Sequence, residues 1–213
     1  MTSLSHTTHC GLPGIDLIPF GMHACHVYDS REELAAALAP FFAAGLARNE
    51  RCLWITAPPL PAIEAIEALR PHCGGVDEAL AAGALRVRDF DEWRANSGRP
   101  TGADVLGLWL REEERALADG YNGLRIGGNM SVLAPADWPG FMAYERAVSA
   151  GFSGRRIVAL CSYAADSRPE AQVRDVVQAH HCAFERAAAG DWQVAAVPAV
   201  TPEGAGVVSR TPA

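Results

Sequence analysis

The sequence predicts an α/β fold in which a mainly parallel sheet lies between two layers of helices. Short apolar strand-like segments alternate along the chain with amphipathic helical segments, and this alternation is typical of βαβ units. Several helical segments are followed by a glycine, such as Gly120 and Gly151, which is a common helix stop. The chain has 213 residues and is 49% hydrophobic, which is enough for one domain with a sizeable core.

Five segments are predicted to be strands, because each is short and apolar and is bounded by turn-forming residues. They are residues 23–28, 52–57, 84–87, 123–127 and 156–161. Residues 193–197 are predicted to form a sixth strand at an edge of the sheet.

The helical segments between these strands carry apolar residues at spacings of three and four. Ser30 begins the first helix, with Glu33 three residues later as a capping box. Pro40 lies within that helix and should kink it or shift its start. The remaining helical segments are residues 62–69, 77–82, 101–119, 139–150 and 169–184. Residues 89–97 are polar, with Phe90 and Trp93 as apolar anchors, and are assigned to neither class.

The chain divides into three parts. Residues 1–19 are predicted to be an N-terminal extension, residues 20–198 a single domain, and residues 199–213 a flexible tail rich in Gly, Pro, Ser and Thr. The N-terminus lacks a basic region followed by an apolar run, so no signal peptide is predicted. No apolar run approaches the roughly 20 residues that a bilayer crossing needs. We therefore expect a cytoplasmic protein without membrane contact.

The charged residues exclude several functions. The net charge of −7 argues against direct binding of nucleic acid, because phosphate binding needs clustered positive charge. All 18 basic residues are arginine, so every mechanism that needs a lysine is excluded. The six cysteines contain no C-x-x-C pair, and disulfides are not expected in a chain of this kind.

The order of strands and helices resembles the RecA and KaiC class of ATPase domains, which have a three-layer architecture. Residues 11–16 are similar to the approach to the first strand of those proteins. Their first strand is followed by a G-x-x-x-x-G-K-[ST] loop that holds the phosphates. Here Tyr28 and Asp29 lead directly into the helix cap at Ser30, without a glycine loop or a lysine. If the fold is RecA-like, the P-loop is degenerate and the ATPase centre has been lost.

Histidine and cysteine alternate in the first strand. Because residues two apart on a strand share a face, His23 and Cys25 point the same way. They are soft metal-ligand types, but two ligands do not make a site, and Cys161 or His180 would have to contribute. Two buried, hydrogen-bonded residues are the simpler interpretation. No metal or other cofactor is therefore expected, and a metal held by His23, Cys25 and Cys161 is the alternative.

Polar residues follow several of the predicted strands. In open parallel sheets, ligands bind beyond the carboxyl ends of the strands. Tyr28, Asn129, Cys161 and Tyr163 fall at such ends, so we expect them to supply polar contacts in a ligand pocket. The remaining candidates would line or support that pocket, and they are His23, Cys25 and His180. Taken alone, each of the four strand-end residues is more often an ordinary polar residue than a ligand contact.

A set of short motifs, in order and spacing, resembles the MEDS family. This family is the sensory domain of methanogens, methylotrophs and the dichloromethane-responsive repressor, and the resemblance covers about residues 20–182. The first motifs are Gly21-x-His23-x-Cys25-x-x-Tyr28, Glu32-Glu33-Leu34, Leu38-x-Pro40-Phe41, Gly45-Leu46 and Glu50-x-Cys52-x-Trp54. The later ones are Tyr121-x-Gly123-Leu124-Arg125, Gly128-x-Met130-Ser131, Tyr144-Glu145 and Ala159-Leu160-Cys161-x-Tyr163, followed by the helix that ends at His180.

The resemblance implies a sensory domain of prokaryotic signal transduction that binds simple hydrocarbon derivatives. Such domains are usually fused to a DNA-binding helix-turn-helix or a histidine kinase. This sequence shows neither, so we expect a small apolar or weakly polar ligand and a signal to a separate histidine kinase or transcription regulator. The sequence is also compatible with a homodimer. Asn129 and Val132 stand where the family pattern has an acidic residue and a tryptophan, so ligand choice should differ.

Two alternatives to a small-molecule sensor are kept. One is a metal- or redox-responsive switch built on His23, Cys25 and Cys161. The other is an ATPase-like interaction scaffold that binds no ligand. An enzyme is not expected, because there is no G-x-S-x-G nucleophile elbow, and His23 lies on the same strand as Cys25 in poor geometry for proton transfer.

Overall fold

A seven-stranded sheet forms the centre of the protein, seen in a computed structural model that describes residues 6–96, 102–130, 138–166, 169–187 and 190–196. Before it, β1 (Thr7–His9) and β2 (Leu17–Pro19) pair as an antiparallel hairpin. The central strands are β3 (His23–Tyr28), β4 (Arg51–Thr56), β5 (Leu85–Asp89), β6 (Leu124–Asn129), β7 (Ile157–Ala164), β8 (Cys182–Arg186) and β9 (Trp192–Ala196). Their order is β5-β4-β6-β7-β3-β8-β9, and all neighbours are parallel except β8 and β9. The predicted mainly parallel sheet is confirmed, as is the strand predicted at its edge.

Helices cover both faces of this sheet, as the three-layer prediction requires. One face carries α1 (Arg31–Ala47), α2 (Ala62–Leu69) and α3 (Val76–Ala81). The other face carries α4 (Phe90–Asn96), α5 (Gly102–Ala118), α6 (Trp138–Phe152) and α7 (Glu170–Ala179). Among the described residues, no helix combines the length and apolar character needed to cross a bilayer.

The junction between β3 and α1 is short. Only Asp29 and Ser30 separate the two elements. The Ser30 hydroxyl accepts the backbone N–H of Glu33 at 3.1 Å, and the Glu33 carboxylate accepts the N–H of Asp29 at 2.9 Å. These bonds satisfy amide groups that a helix start would otherwise leave open. Pro40 lies inside α1, which still begins at Arg31 and runs to Ala47, so the start is not shifted.

A buried ion pair ties the N-terminal hairpin to the core. Arg125 Nε lies 2.7 Å from Glu50 Oε2, and both side chains are fully buried. The same guanidinium donates to the carbonyl oxygens of Phe41 and His9, each at 2.7 Å. Thr8 donates its hydroxyl proton to the Glu50 carboxylate. The hairpin within the predicted 1–19 extension is thus part of the packed structure.

The predicted helix over residues 169–184 is wrong at its end. α7 stops at Ala179, and His180 adopts an extended backbone with φ −105° and ψ 164°. The chain then forms β8, which pairs parallel with β3 in the register Ala24 to Cys182. Since β3 would otherwise leave backbone groups unpaired, tertiary pairing overrides local helical preference here. The predicted tail, residues 199–213, lies outside the described residues.

Residues 89–97, which the sequence left unassigned, are mostly helical. α4 covers Phe90 to Asn96. The ring of Trp93 stacks on that of Trp109 from α5, with centroids 5.3 Å apart. The two predicted apolar anchors therefore hold α4 against the second helix layer.

Candidate functional site

Four polar side chains from separate parts of the chain meet where α6 and α7 pack on the sheet. They are His23 on β3, Glu145 on α6, Cys161 on β7 and His180 just after α7. Each contributes one nitrogen, oxygen or sulfur atom, and these four atoms all lie within 4.8 Å of one another. His23, Glu145 and His180 are almost completely buried, and Cys161 is partly buried. These four residues are called the buried cluster below.

The local pattern of each element directs these side chains to one place. Side-chain alternation places His23 on the face of β3 that looks toward α6 and α7, and Cys161 sits on the same face of the neighbouring β7. Glu145 belongs to the buried face of α6, at helical spacing with Met142 and Ser149. The end of α7 brings His180 over the same spot.

The distances within the buried cluster are short. Nε2 of His23 lies 3.3 Å from Sγ of Cys161 and 3.5 Å from Oε2 of Glu145. Nε2 of His180 lies 3.7 Å from the same Glu145 oxygen. The two imidazole rings are 4.1 Å apart, centroid to centroid. Both Nε2 atoms therefore face one carboxyl group.

Hydrogen bonds outside the cluster decide where each imidazole carries its proton. Nδ1 of His180 lies 2.7 Å from the carbonyl oxygen of Val176, which can only accept, so Nδ1 is the donor. The Ser149 hydroxyl donates to the carbonyl oxygen of Ala179 at 2.7 Å, and so accepts from Nδ1 of His23 at 2.9 Å. Both rings consequently direct a bare Nε2 lone pair into the cluster.

Burial shifts the pKa of each of the four groups in the direction that favours its uncharged form. It raises the pKa of Glu145 to about 8, against the opposing effect of the hydrogen bond that Tyr163 donates at 3.0 Å. Burial lowers the pKa of His180 to about 4, and burial together with the neighbouring His180 and His181 holds the pKa of His23 well below its usual range. Burial also raises the pKa of the Cys161 thiol well above its usual value. The cluster thus combines two neutral imidazoles with a carboxylic acid and a thiol.

One atom of the cluster has no hydrogen-bond partner. Nε2 of His180 is buried and unpaired among the described residues. Its nearest cluster neighbour, Oε2 of Glu145 at 3.7 Å, is beyond hydrogen-bonding distance. An unpaired buried acceptor costs about 1–3 kcal/mol, so a ligand that engages it would recover that energy.

The structure brings together only some of the predicted site residues. His23, Cys161 and His180 belong to the buried cluster, and Tyr163 donates to Glu145 beside them. Cys25 lies on the same face, but its Sγ approaches the carbonyl oxygen of Cys182 at 3.6 Å and is not one of the four converging atoms.

The residues predicted to form a pocket at the strand ends are divided between the two faces of the sheet. Tyr28 lies on the opposite face of the sheet, in the core against α1. Asn129 donates its side-chain amide to the carbonyl oxygen of Pro58 at 2.5 Å, after β4. Cys161 is not at a strand end, because β7 continues to Ala164.

Two residues of the site were missed from the sequence. Glu145 supplies the carboxyl group that both histidines face, and Ser149 fixes the tautomer of His23. The feature of the sequence that could have pointed to Glu145 is its position on the apolar face of α6, between Met142 and Val148. An acidic residue at such a position is rarely buried without a partner.

Comparison with known proteins supports the fold and identifies the family. No curated protein matches the chain. Among solved structures, the flagellar accessory protein FlaH from Methanocaldococcus jannaschii is similar with a TM-score of 0.55 and 15% sequence identity, over 78% of this chain and 71% of that one. This likeness concerns the fold alone and is consistent with the RecA-like class. The family model described as the methanogen/methylotroph, DcmR sensory domain matches residues 22–181, a span that contains the whole buried cluster, and the chain therefore belongs to the MEDS family.

Proposed function

We propose that this MEDS domain senses a small, mostly apolar organic molecule that carries one polar group, and that it signals to a separate histidine kinase or transcription regulator. The family is one of sensory domains, which supports a role in signalling. The ligand and the partner are the proposed part. The observation that carries the proposal is the buried cluster, with its unpaired His180 nitrogen.

The surroundings of the cluster suit such a ligand. The apolar residues packed around it include Met142, Val176 and Ala179, with the partly buried Phe141 and Trp138 nearby. Ligand sites typically combine an apolar lining with a few convergent polar groups. The polar group of an alcohol or aldehyde would meet the cluster, while its hydrocarbon part would lie against the apolar shell.

Two helices provide a route for the signal. Glu145 and Ser149 belong to α6, and His180 follows directly on α7, so a ligand in the cluster contacts both helices. Ser149 also bonds the last residue of α7 through the Ala179 carbonyl. A ligand that favours one relative position of α6 and α7 would shift the population toward it, and a partner could read that shift at the helix surfaces.

A redox switch and a ligand-free scaffold receive less support than a sensor. A redox switch needs an accessible thiolate, whereas burial raises the pKa of both Cys25 and Cys161 and keeps them as thiols. A scaffold without a ligand leaves the buried His180 nitrogen without a hydrogen-bond partner among the described residues, whereas a ligand at the cluster would supply one.

A thermal-shift series tests the proposal. Short-chain alcohols, aldehydes and haloalkanes are titrated against chelator-treated protein, and at least one is expected to raise Tm saturably. Glu145→Gln removes the acid but keeps an oxygen for the Tyr163 hydrogen bond, and should abolish that rise. Glu114→Gln, on the exposed surface of α5, is the matched control and should respond like the wild type.

Two outcomes of the thermal-shift series would contradict the proposal. If no compound in the panel raises Tm, or if Glu145→Gln responds as fully as the wild type, binding at the cluster is refuted.

A further inference from the structure

We propose that the buried cluster is a zinc site, with Nε2 of His23, Nε2 of His180, a carboxylate oxygen of Glu145 and Sγ of Cys161 as the four ligands. This inference goes beyond the proposed function, because it requires no organic ligand. It also differs from the sequence-based alternative of His23, Cys25 and Cys161, since Glu145 enters the set and Cys25 stays outside, while His180 had already been considered as a further ligand.

Three of the distances among the four atoms lie close to those around a tetrahedral ion, and all of them are within 4.8 Å. With zinc bonds of about 2.0–2.3 Å, tetrahedral ligand atoms are about 3.3–3.6 Å apart. The nitrogen–sulfur distance from His23 to Cys161 is 3.3 Å, and the two nitrogen–oxygen distances to Glu145 are 3.5 and 3.7 Å. Small side-chain rotations would bring all four atoms onto one ion.

The outer hydrogen bonds already orient three of the ligands. A metal-binding histidine usually donates its other ring N–H to a carbonyl or hydroxyl oxygen, which fixes the tautomer. His180 does so to Val176, and His23 does so to Ser149. Tyr163 holds the second oxygen of Glu145. The atoms facing the cluster are therefore the ones that a metal needs.

A second observation points to a ligand independently of the spacing. Nε2 of His180 is buried, aimed into the cluster and unpaired among the described residues. A zinc ion would be its missing partner.

The chemistry of the ligand set favours zinc. Two imidazoles, one carboxylate and one thiolate form a mixed nitrogen, oxygen and sulfur set of borderline softness, whereas magnesium and calcium require oxygen ligands. On binding, Zn²⁺ replaces the protons of the Cys161 thiol and the Glu145 carboxyl, and both protons pass to solvent. The resulting centre has no net charge, as burial requires.

A zinc ion would also be compatible with the sensing role. Catalytic zinc sites sometimes expand from four to five ligands, and an oxygen of an organic ligand could bind the same ion in that way. Metal binding and organic ligand binding are nevertheless separate measurements.

The test uses the full chain. Protein is stripped with a chelator, and Zn²⁺ binding is measured by competition with a chromophoric chelator, while Co²⁺ reports geometry and thiolate ligation by its absorption spectrum. The wild type is expected to bind one ion per chain, with a tetrahedral cobalt spectrum that includes a thiolate charge-transfer band.

Variants locate the ion. Cys161→Ser and His180→Gln should each weaken Zn²⁺ binding by more than about 100-fold, since even outer residues contribute 10–100-fold. Cys161→Ser should also remove the charge-transfer band. Cys25→Ser is the matched control, because it alters a buried thiol on the same face outside the cluster, and it should bind like the wild type. Replacing His6 and His9 together by alanine controls for adventitious binding at the N-terminus.

The inference is overturned by either of two outcomes. One is wild-type protein that takes up no stoichiometric ion. The other is Cys161→Ser with unchanged affinity and an unchanged cobalt band, while circular dichroism shows that all variants are folded. The organic ligand series is run on chelator-treated protein. A failure to bind zinc therefore does not refute the proposed sensing function, and a failure to bind organic compounds does not refute the zinc site.

Discussion

The imidazole rings of His23 and His180 lie 4.1 Å apart, and both direct Nε2 toward Oε2 of Glu145. One ring comes from a strand and the other from the residue after a helix, 157 positions later in the chain numbering. Each is held by a hydrogen bond at Nδ1, so neither is free to turn away. The site is thus arranged by the backbone of α6 and α7 as much as by its own side chains.

Ser149→Ala tests that arrangement. The substitution leaves Nδ1 of His23 and the Ala179 carbonyl unpaired in the interior. This should lower the free energy of unfolding of chelator-treated, metal-free protein by about 1–3 kcal/mol. Zinc affinity should fall by about 10–100-fold, because His23 loses its orienting partner. Urea denaturation and zinc competition measure the two effects. Ser153→Ala, at an exposed position near the end of α6, should change neither, and equal effects in both variants would contradict the assigned role.

Arg125→Met should be among the most damaging single substitutions. It leaves the buried Glu50 carboxylate without its ion pair, and breaking such a pair typically destabilises by about 3–5 kcal/mol. The N-terminal hairpin should also loosen, because Arg125 holds the His9 carbonyl. Chemical denaturation gives the free energy, and hydrogen exchange at β1 reports the hairpin.

Arg88→Met is the control for that substitution. Its ion pair with Glu92 spans 3.5 Å and is about half exposed, so its loss should amount to less than about 1 kcal/mol. If Arg125→Met and Arg88→Met lose the same free energy of unfolding, burial of the Arg125–Glu50 pair does not explain its contribution to stability.

His26 should make stability depend on pH. Burial lowers its pKa to about 4, whereas the same side chain in the unfolded protein titrates near 6.5. Below about pH 6.5 the unfolded state binds a proton that the folded state does not, so the contribution of His26 is complete above that pH and is lost as pH falls toward 4. The slope from this group is at most about 1.4 kcal/mol per pH unit.

Comparing the pH dependence of stability of His26→Gln with that of the wild type separates the contribution of His26 from that of the other buried histidines. His26→Gln cannot titrate, and its stability should fall less steeply between pH 6.5 and 4 in urea denaturation. His72→Gln, at an exposed position, should keep the wild-type slope. Parallel curves for His26→Gln and the wild type would show that His26 does not titrate in this window.

ATP and ADP should not bind at the turn after β3. The Ser30 hydroxyl and the Glu33 carboxylate already accept the N–H groups of Glu33 and Asp29, so these two amides are not open to a phosphate. Isothermal titration with and without Mg²⁺ should show no saturable binding of either nucleotide. Stoichiometric binding at micromolar concentration would contradict the proposed loss of the phosphate site.

Much of the fold could be predicted because it depends on local pattern. The short segments that became β3, β4 and β7 were recognisable as strands from the sequence, and α1 begins at its capping box as predicted. The end of α7 could not be predicted in this way. Residues 180–184 continue a helical pattern, and pairing with β3 on one side and β9 on the other makes Cys182–Arg186 a strand.

By itself, the sequence determined the α/β class, the exclusion of lysine chemistry and the alternation that turns His23 and Cys25 toward the same side of β3. Only the tertiary structure decided which residues share a site. Glu145, His180 and Cys161 are far from His23 in the chain, and the parallel pairing of β3 with β7 and the packing of α6 and α7 bring them within 4.8 Å. The physical reason is that alternation and helical spacing fix the direction of a side chain within one element, whereas the distance between elements is set by the packing of the whole core.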